Sequence, residues 1–374
     1  MKSAYDTIII GGGQAGLAVG YYLAQQGRDF VILEAHKQIG DSWRQRWDSL
    51  QLFTPAKFSS LPGMPFPAEA MHYPTKDEMA DYLETYAQRF NLPVQLGVWV
   101  KRLSREGEHF IVESDGLRLV ARQVVVATGA YQLPRIPTFA KDLDPAIHQI
   151  HTKQYQNPSQ LPIGKTLVVG VGNSGGEIAM ELAQTRKVWL SGKPTAQLPM
   201  PKNFMINVLW WFLHNATRAD TLFGRFFKSK LGNKGAPLEG LSEKDFTAAG
   251  INRVTKTVGV RNGKPVFEDG GSVDVSCIVW ATGFRNDFSW IDLPVFDAED
   301  EPVHERGVVA SEPGLYFTGL YYLYSVSSAL IGGTRRDAGY IAKQIEARSQ
   351  ARKLAGLQPE PARQPANIGE QAGK

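Results

Sequence analysis

Apolar positions in this chain fall into short unbroken runs, and the first is Thr7–Ile10 within "DTIIIGGGQAG". A run that short, closed by glycines, predicts a strand buried on both faces. From Ala15 the spacing turns helical through "AGLAVGYYLAQQG", and "FVILEA" then predicts a second buried strand ending at Glu34. The same order returns later, as the strand "KTLVVG", the helix "NSGGEIAMELA" and the strand "KVWLSG". Two further apolar runs, "VVVATGAY" and "CIVWATGF", close alike, in Ala127-Thr128-Gly129 and Ala281-Thr282-Gly283. Gly11 precedes the first closure by nearly the stretch that separates Gly170 from the second. A repeat on that scale predicts an α/β fold with two Rossmann-like dinucleotide-binding domains, one inserted into the other.

The expected bounds are 1–155 and 286–350 for the outer domain and 156–285 for the inserted one. Residues 351–374, rich in Pro, Ala, Gln and charge, read as a flexible tail. "HTKQYQNPSQLP" and "GFRNDFSW" are the two crossings and are expected to act as hinges. "RNGKPVFEDGGSVDV" carries the turn signals of a small antiparallel hairpin. A helical insertion is expected at about 203–240. Its first part is apolar and aromatic, with Met205, Trp210, Trp211 and Phe212, and its second part is basic. Packing against its own domain, self-association as a homodimer, a substrate entrance and a membrane-surface contact are all open readings of that segment.

The two strand–turn–helix joints carry the candidate chemistry. Gly11, Gly13 and Gly16 fill a GxGxxG pattern, followed by Gln14 and Ala15 at the helix start. The first glycine allows the tight turn, the second lets the backbone approach a pyrophosphate, and the third brings helix and strand together. The helix N-terminus then presents free N–H groups and a positive dipole end to the anion. Glu34, followed by Ala35, stands where an acid accepts hydrogen bonds from a ribose 2′-hydroxyl. Gly170, Gly172 and Gly175 repeat the pattern, with Asn173 and Ser174 opening the helix as cofactor contacts. Where the first copy has an acid the second has Ser191, Gly192 and Lys193, which favours NADPH over NADH while leaving both acceptable.

Composition changes this picture little. The 374 residues are 43% hydrophobic and 21% charged with a net charge of +4, which suits a globular nucleotide binder and not a nucleic-acid surface. No apolar run approaches the roughly 20 residues of a bilayer span, so no stable membrane insertion is expected. One cysteine, Cys277, rules out a disulfide framework or a CxxC pair within the chain and fits a reducing cytoplasm. His148 and His151 have a spacing that metal sites use, but no Cys or carboxylate pattern completes one, so no metal is expected.

Beyond the glycine turns, "IGDSWRQRWDSLQLFTP", "YPTKDEMADYLETYA", "VGNSGGEIAMEL" and "PGLYFTGLYYLYSVSSALIGGTRRDAGYIA" resemble the two-dinucleotide-binding flavoproteins. Within them the chain is similar to the class B flavin-dependent monooxygenases, in particular small bacterial flavin-containing monooxygenases and metal-resistance-associated oxidoreductases. The resemblance covers about residues 5–345 and implies FAD in the first cradle and the nicotinamide cofactor in the second. It places Ser42, Trp43 and the loop Leu52, Phe53 and Thr54 near the flavin, Val100 at the adenine, and Gly319 at the flavin edge. The family's FxGxxxHxxxY fingerprint keeps His151 and Tyr155, but Pro145 and Ile147 replace its Phe and Gly. An asparagine that animal members place beside the flavin has no counterpart in "LQLFTPAKF", which implies loss of reducing power as peroxide.

By that resemblance NADPH reduces the flavin, O2 forms a C4a-(hydro)peroxyflavin, and a small S or N nucleophile or a ketone takes up oxygen. No side chain is assigned as an obligatory acid or base. Two other readings remain: an NAD(P)H oxidase or reductase passing electrons to O2, a quinone or a protein, and a flavin-bound sensor or accessory protein.

Overall fold

The computed structural model describes residues 2–193, 197–198, 205–231 and 238–356. The chain opens with β1 (Ala4–Ile10), α1 (Gln14–Gln25) and β2 (Phe30–Glu34), then α2 (Asp41–Arg44) and α3 (Lys76–Arg89). Five strands follow: β3 (Val94–Leu96), β4 (Arg102–Glu106), β5 (His109–Ser114), β6 (Leu117–Val126) and the short β7 (Leu133–Pro134). A second block runs through β8 (His148–His151), β9 (Thr166–Val169), α4 (Asn173–Ala183), β10 (Val188–Ser191) and β11 (Gln197–Leu198). It continues through α5 (Met205–Trp211), α6 (Leu222–Leu231), β12 (Leu238–Glu239), α7 (Glu243–Ala248) and β13 (Asn252–Val254). Then come β14 (Thr257–Arg261), β15 (Lys264–Phe267), β16 (Cys277–Trp280) and β17 (Phe284–Arg285), before β18 (Leu315–Phe317) and α8 (Thr334–Leu354).

Two sheets result. The first has the order β3-β2-β1-β6-β5-β4 with β18 paired to β6, and the second has β13-β10-β9-β16-β8. In each, the strand before the glycine turn lies between two parallel neighbours and is covered on both faces, which is why its sequence is apolar without alternation. Alternation survives in where the side chains go. Ile9 packs with Leu17 and Leu23 of α1, while Ile8 and Ile10 join Leu103 and Phe110 on the other face. Val168 and its neighbours Leu167 and Val169 divide in the same way. Val168, Ile178 and Leu190 belong to one cluster with Ile9, Leu17 and the fully buried Tyr155, so the two units share apolar packing.

Local sequence explains the supporting elements. "PTKDE" builds a capping box on α3, in which Thr75 Oγ1 accepts from Glu78 N–H and Glu78 accepts from Thr75 N–H. In the hairpin of β14 and β15, Asn262 and Gly263 both take positive φ, 53° and 74°, as a two-residue primed turn demands. The strand His148–His151 falls within 1–155 yet pairs with β16 as an edge of the second sheet. The helix α8 reaches Leu354, beyond the point where the sequence suggested a tail, and 357–374 lie outside the described residues. Within the segment read as an insertion the described residues hold α5, a π turn at Phe212–Ala216 and α6, while 199–204 and 232–237 lie outside the described residues.

That pair does not pack on its own unit alone. Trp210 stacks on Phe58 at 4.7 Å, and Lys57 Nζ donates to Asn207. Ala219 N–H donates to Tyr324 O, and the hydroxyl of Tyr322 reaches the carbonyls of Thr217 and Gly224. The insertion thus ties the second unit to the C-terminal segment of the first. Among the described residues no helix is long and apolar enough to cross a membrane.

Candidate functional site

The first cradle is formed where β1 turns into α1. A Cβ at Gly16 would overlap the carbonyl oxygen of Gly11, and one at Gly11 would stand 2.5 Å from Ala127 O. Around Gly13, by contrast, a Cβ would meet nothing within 4 Å. Gly13 is also the N-cap of α1, with no capping side chain and no acid in the first turn. Close packing behind and open space in front is the geometry that a pyrophosphate on a helix N-terminus requires.

Glu34 ends β2 beside this turn. Its carboxylate accepts from Gly12 N–H at 2.7 Å and from His36 N–H and Nδ1 at 2.9 and 2.6 Å. Burial works against its ionisation, but the bonds from His36 and Gly12 prevail and hold its pKa below the usual carboxylate range. The same bond to Glu34 raises that of His36. Trp43 Nε1 donates to Gln14 Oε1 at 3.4 Å, joining the GxxW segment to the start of α1. A Cβ on Gly319 would touch that of Ala15 at 3.0 Å, so the returning chain closes directly onto the cradle. Next to it Thr318 is 1% exposed and its hydroxyl has no hydrogen-bond partner, an orphan that a bound ligand would satisfy. Leu52 and Thr54 are buried, and Thr54 Oγ1 is already bonded to Ser59 Oγ at 3.0 Å. Val100 packs half-buried on the far core face beside Val98.

The second cradle repeats the first. A Cβ at Gly175 would overlap Gly170 O, Gly170 backs onto the carbonyl of Ala281, and α4 begins at Gly172 with neither cap nor early acid. Asn173 Oδ1 accepts from Glu239 N–H at 2.8 Å. Ser191 is 1% exposed, donates to Thr255 O and accepts from Thr257 N–H. Its hydroxyl secures the connection after β13. Lys193 is exposed just past Gly192, and Arg253 Nη2 braces the turn through Gly192 O at 2.8 Å.

Between the cradles the two crossings touch. His151 is buried, and its Nδ1 accepts from Lys153 N–H, so the ring is neutral with Nε2–H donating to Gly283 O at 3.0 Å. Burial depresses its pKa, in keeping with that tautomer. Phe284 packs edge-on to both His151 and Tyr131. Arg46 lies 5.8 Å from the centre of the Tyr131 ring and 5.6 Å from that of Phe284. Its Nε donates to Ser42 O at 3.3 Å, and burial lowers its pKa.

Sequence reasoning missed His36, Arg46, Tyr131 and a pair of acids. Burial pushes the carboxyl of Glu177 up to about 7. That of Glu239 rises to about 8, by burial first and then by Glu177. Glu177 was visible within "GNSGGE", but not that Leu238 of β12, from far along the chain, would pack against its neighbour Gly176. Among the described residues no group of His, Cys, Asp and Glu is placed to hold a metal.

Comparison with known proteins gives this geometry its family. Residues 8–206 match the family model described as pyridine nucleotide-disulphide oxidoreductase. The chain is 44% identical over 352 residues to a CzcO-like oxidoreductase of Geobacillus kaustophilus, covering 92% of this chain and 99% of that protein. It is 36% identical over 181 residues to the indole-3-pyruvate monooxygenase YUCCA1 of Oryza sativa, a match covering 47% of this chain and 45% of that one. Among solved structures, the flavin-containing monooxygenase of Stenotrophomonas maltophilia superposes with a TM-score of 0.76 at 28% identity, over 93% of this chain and all of that one. Disulfide chemistry within the chain is excluded, since its one cysteine, Cys277, is buried with a thiol pushed up to about 12. The chain belongs to the pyridine nucleotide-disulphide oxidoreductase family, and within it is similar to the flavin-dependent monooxygenases.

Proposed function

We propose that this protein is an NADPH-dependent monooxygenase that transfers one oxygen atom of O2 to a small nucleophilic or carbonyl substrate. The observation that carries this reading is the pair of matched glycine cradles, each open in front of a helix N-terminus, in a chain whose one cysteine, Cys277, is buried. Bound FAD would supply the redox and oxygen-activating chemistry. The chain's own work is binding, orientation and exclusion of water. Gly11, Gly13 and Gly16 with Gln14 and Ala15 would seat the FAD pyrophosphate, and Glu34 its ribose. Gly170, Gly172, Gly175, Asn173 and Ser174 would seat the nicotinamide cofactor, with Lys193 near the adenine-side ribose. Ala127-Thr128-Gly129 and Ala281-Thr282-Gly283 line the backs of the two cradles. No side chain of the chain is assigned an obligatory proton transfer.

The test is rapid mixing of NADPH-reduced holoenzyme with O2 while the flavin spectrum is followed. A transient distinct from both reduced and oxidised flavin, shortened by a thioether, amine or cyclic ketone, is expected. Direct reoxidation without a transient, with peroxide equal to NADPH consumed for every substrate, would replace this reading with an oxidase. Failure to consume NADPH at all would leave a sensor.

A further inference from the structure

The helices α5 and α6 turn one face inward and present the other to solvent. In α5, Ile206 is buried and Trp210 stacks on Phe58, while Val208 and Trp211 are exposed, Trp211 by 62%. In α6, Gly224 is buried, a Cβ there would overlap Arg218 O, and its own carbonyl accepts from the Tyr322 hydroxyl. That contact fixes the rotation of the helix. Leu222, two residues before the glycine, and Phe226, two after it, fall on the opposite side and are 83% and 60% exposed. Phe212 and Phe223, both exposed, meet edge to face at 6.0 Å and join the two stripes into one surface.

Charge gathers on the same surface. The segment 203–235 holds five Lys or Arg against one acid, Asp220, an excess as large as the +4 of the whole chain. Asp220 is already engaged, since it pairs with Arg218 and accepts from the Tyr324 hydroxyl at 3.0 Å. Arg225 and Lys228 are exposed on one flank of the Leu222–Phe226 stripe, and among the described residues neither is paired with a carboxylate. Contiguous apolar side chains rimmed by cations mark a contact surface. Long basic side chains at the edge can hold their charges among headgroups while the rings between them enter hydrocarbon. A second copy of this chain matches the face poorly. A two-fold contact would set these cations against themselves, with no acid of the segment left to pair them.

We propose that the outer face of α5 and α6 docks the protein on an anionic lipid bilayer. Trp211, Leu222 and Phe226 enter the boundary between headgroups and acyl chains, and Arg225 and Lys228 meet lipid phosphates. With 7 and 10 residues the two helices are too short to span the hydrocarbon core, so the attachment is peripheral and reversible. Their inner faces stay on Phe58 and Tyr322, so docking requires no unfolding of the insertion. Attachment of this kind is independent of the reaction performed at the cradles.

The experiment mixes FAD-loaded protein with large unilamellar vesicles of phosphatidylcholine alone, or with an equal share of phosphatidylglycerol, and reads the bound fraction by flotation. Binding to the phosphatidylglycerol vesicles is expected to be about tenfold or more the tighter, and to weaken by a similar factor between about 0.05 M and about 0.5 M salt. The double variant Arg225→Gln, Lys228→Gln should lower that affinity about tenfold or more while FAD content and melting temperature stay unchanged, because both side chains are exposed. Brominated acyl chains should quench the tryptophan emission of the wild type, and Trp211→Phe, which keeps an apolar ring, should lose most of that quenching. Equal binding to both vesicles, no binding to either, or unchanged affinity in the double variant overturns the proposal. Attachment without bromolipid quenching means that any acidic surface serves, and overturns it as well. Dimerisation that Trp211→Ser abolishes, in a protein that ignores vesicles, would give the face to a second copy instead.

Discussion

Single atoms decide the two cradles, and the clearest forecast concerns a methyl group. Gly16→Ala would drive a Cβ into Gly11 O, whereas Gly175→Ala would drive one into Gly170 O. The first variant is expected to purify with FAD content reduced more than tenfold, and added FAD should not restore it. The second should retain its FAD but lose reduction by NADPH. Equal loss of both properties in both variants would contradict separate cradles. Beside the first cradle, Glu34 and His36 titrate against each other. The lowered pKa of Glu34 means that its contribution is present above the ordinary carboxylate range and lost as pH falls through the folded value. The raised pKa of His36 means that its contribution is complete below the ordinary imidazole range and lost as pH rises through the folded value. The pair is therefore strongest at about pH 5 to 6. The melting-temperature difference between wild type and His36→Gln should peak there and narrow as pH rises through the raised pKa of His36. Glu34 was readable from its place after a buried strand. His36 was not, because nothing in a residue's identity says that its ring will fold back onto the acid two positions before it.

Elements carry the coupling between the cradles. His151 joins the end of β8 to the crossing at Gly283, and Phe284 packs against its ring. His151→Ala should leave FAD content intact while slowing NADPH-driven flavin reduction by about tenfold, since the loss of one buried hydrogen bond plus packing is worth about 1–2 kcal/mol. Stopped-flow reduction at saturating NADPH measures this, and an unchanged rate would remove the hinge role. The glycine-flanked strands, the hairpin at Asn262-Gly263 and the capping box at Thr75 were all written in local sequence, because each depends on neighbours within a few residues. The strand at His148–His151 was not assigned to the second sheet, because partner choice among parallel strands is set by distant β16. For the same reason the insertion could be recognised as helical without revealing that it leans on Phe58 and Tyr322 of the other unit.

At the scale of the whole molecule, the proposed function would have the dinucleotide that reduces the flavin chosen at the rim of the second unit. Ser191 is spent on Thr255 and Thr257, which leaves exposed Lys193 as the charge available to a 2′-phosphate. Lys193→Ala should raise the KM for NADPH about fivefold to tenfold and leave that for NADH nearly unchanged, because one solvent-exposed phosphate contact is modest. Steady-state kinetics with both donors checks this, and a parallel rise in both values would place the lysine outside the discriminating contact.

The amino-acid sequence alone determined the two cradles, their order and the elements around them. Glycine spacing, apolar runs and turn residues act over a few positions and need no partner from afar. Only the tertiary structure decided which groups meet in the cleft. Arg46, Tyr131, Glu177, Glu239 and Tyr321 come from separate stretches of chain, and none carries a local signature. Their altered proton affinities arise from neighbours brought together by the fold, since desolvation and charge belong to the assembled surroundings and not to the residue.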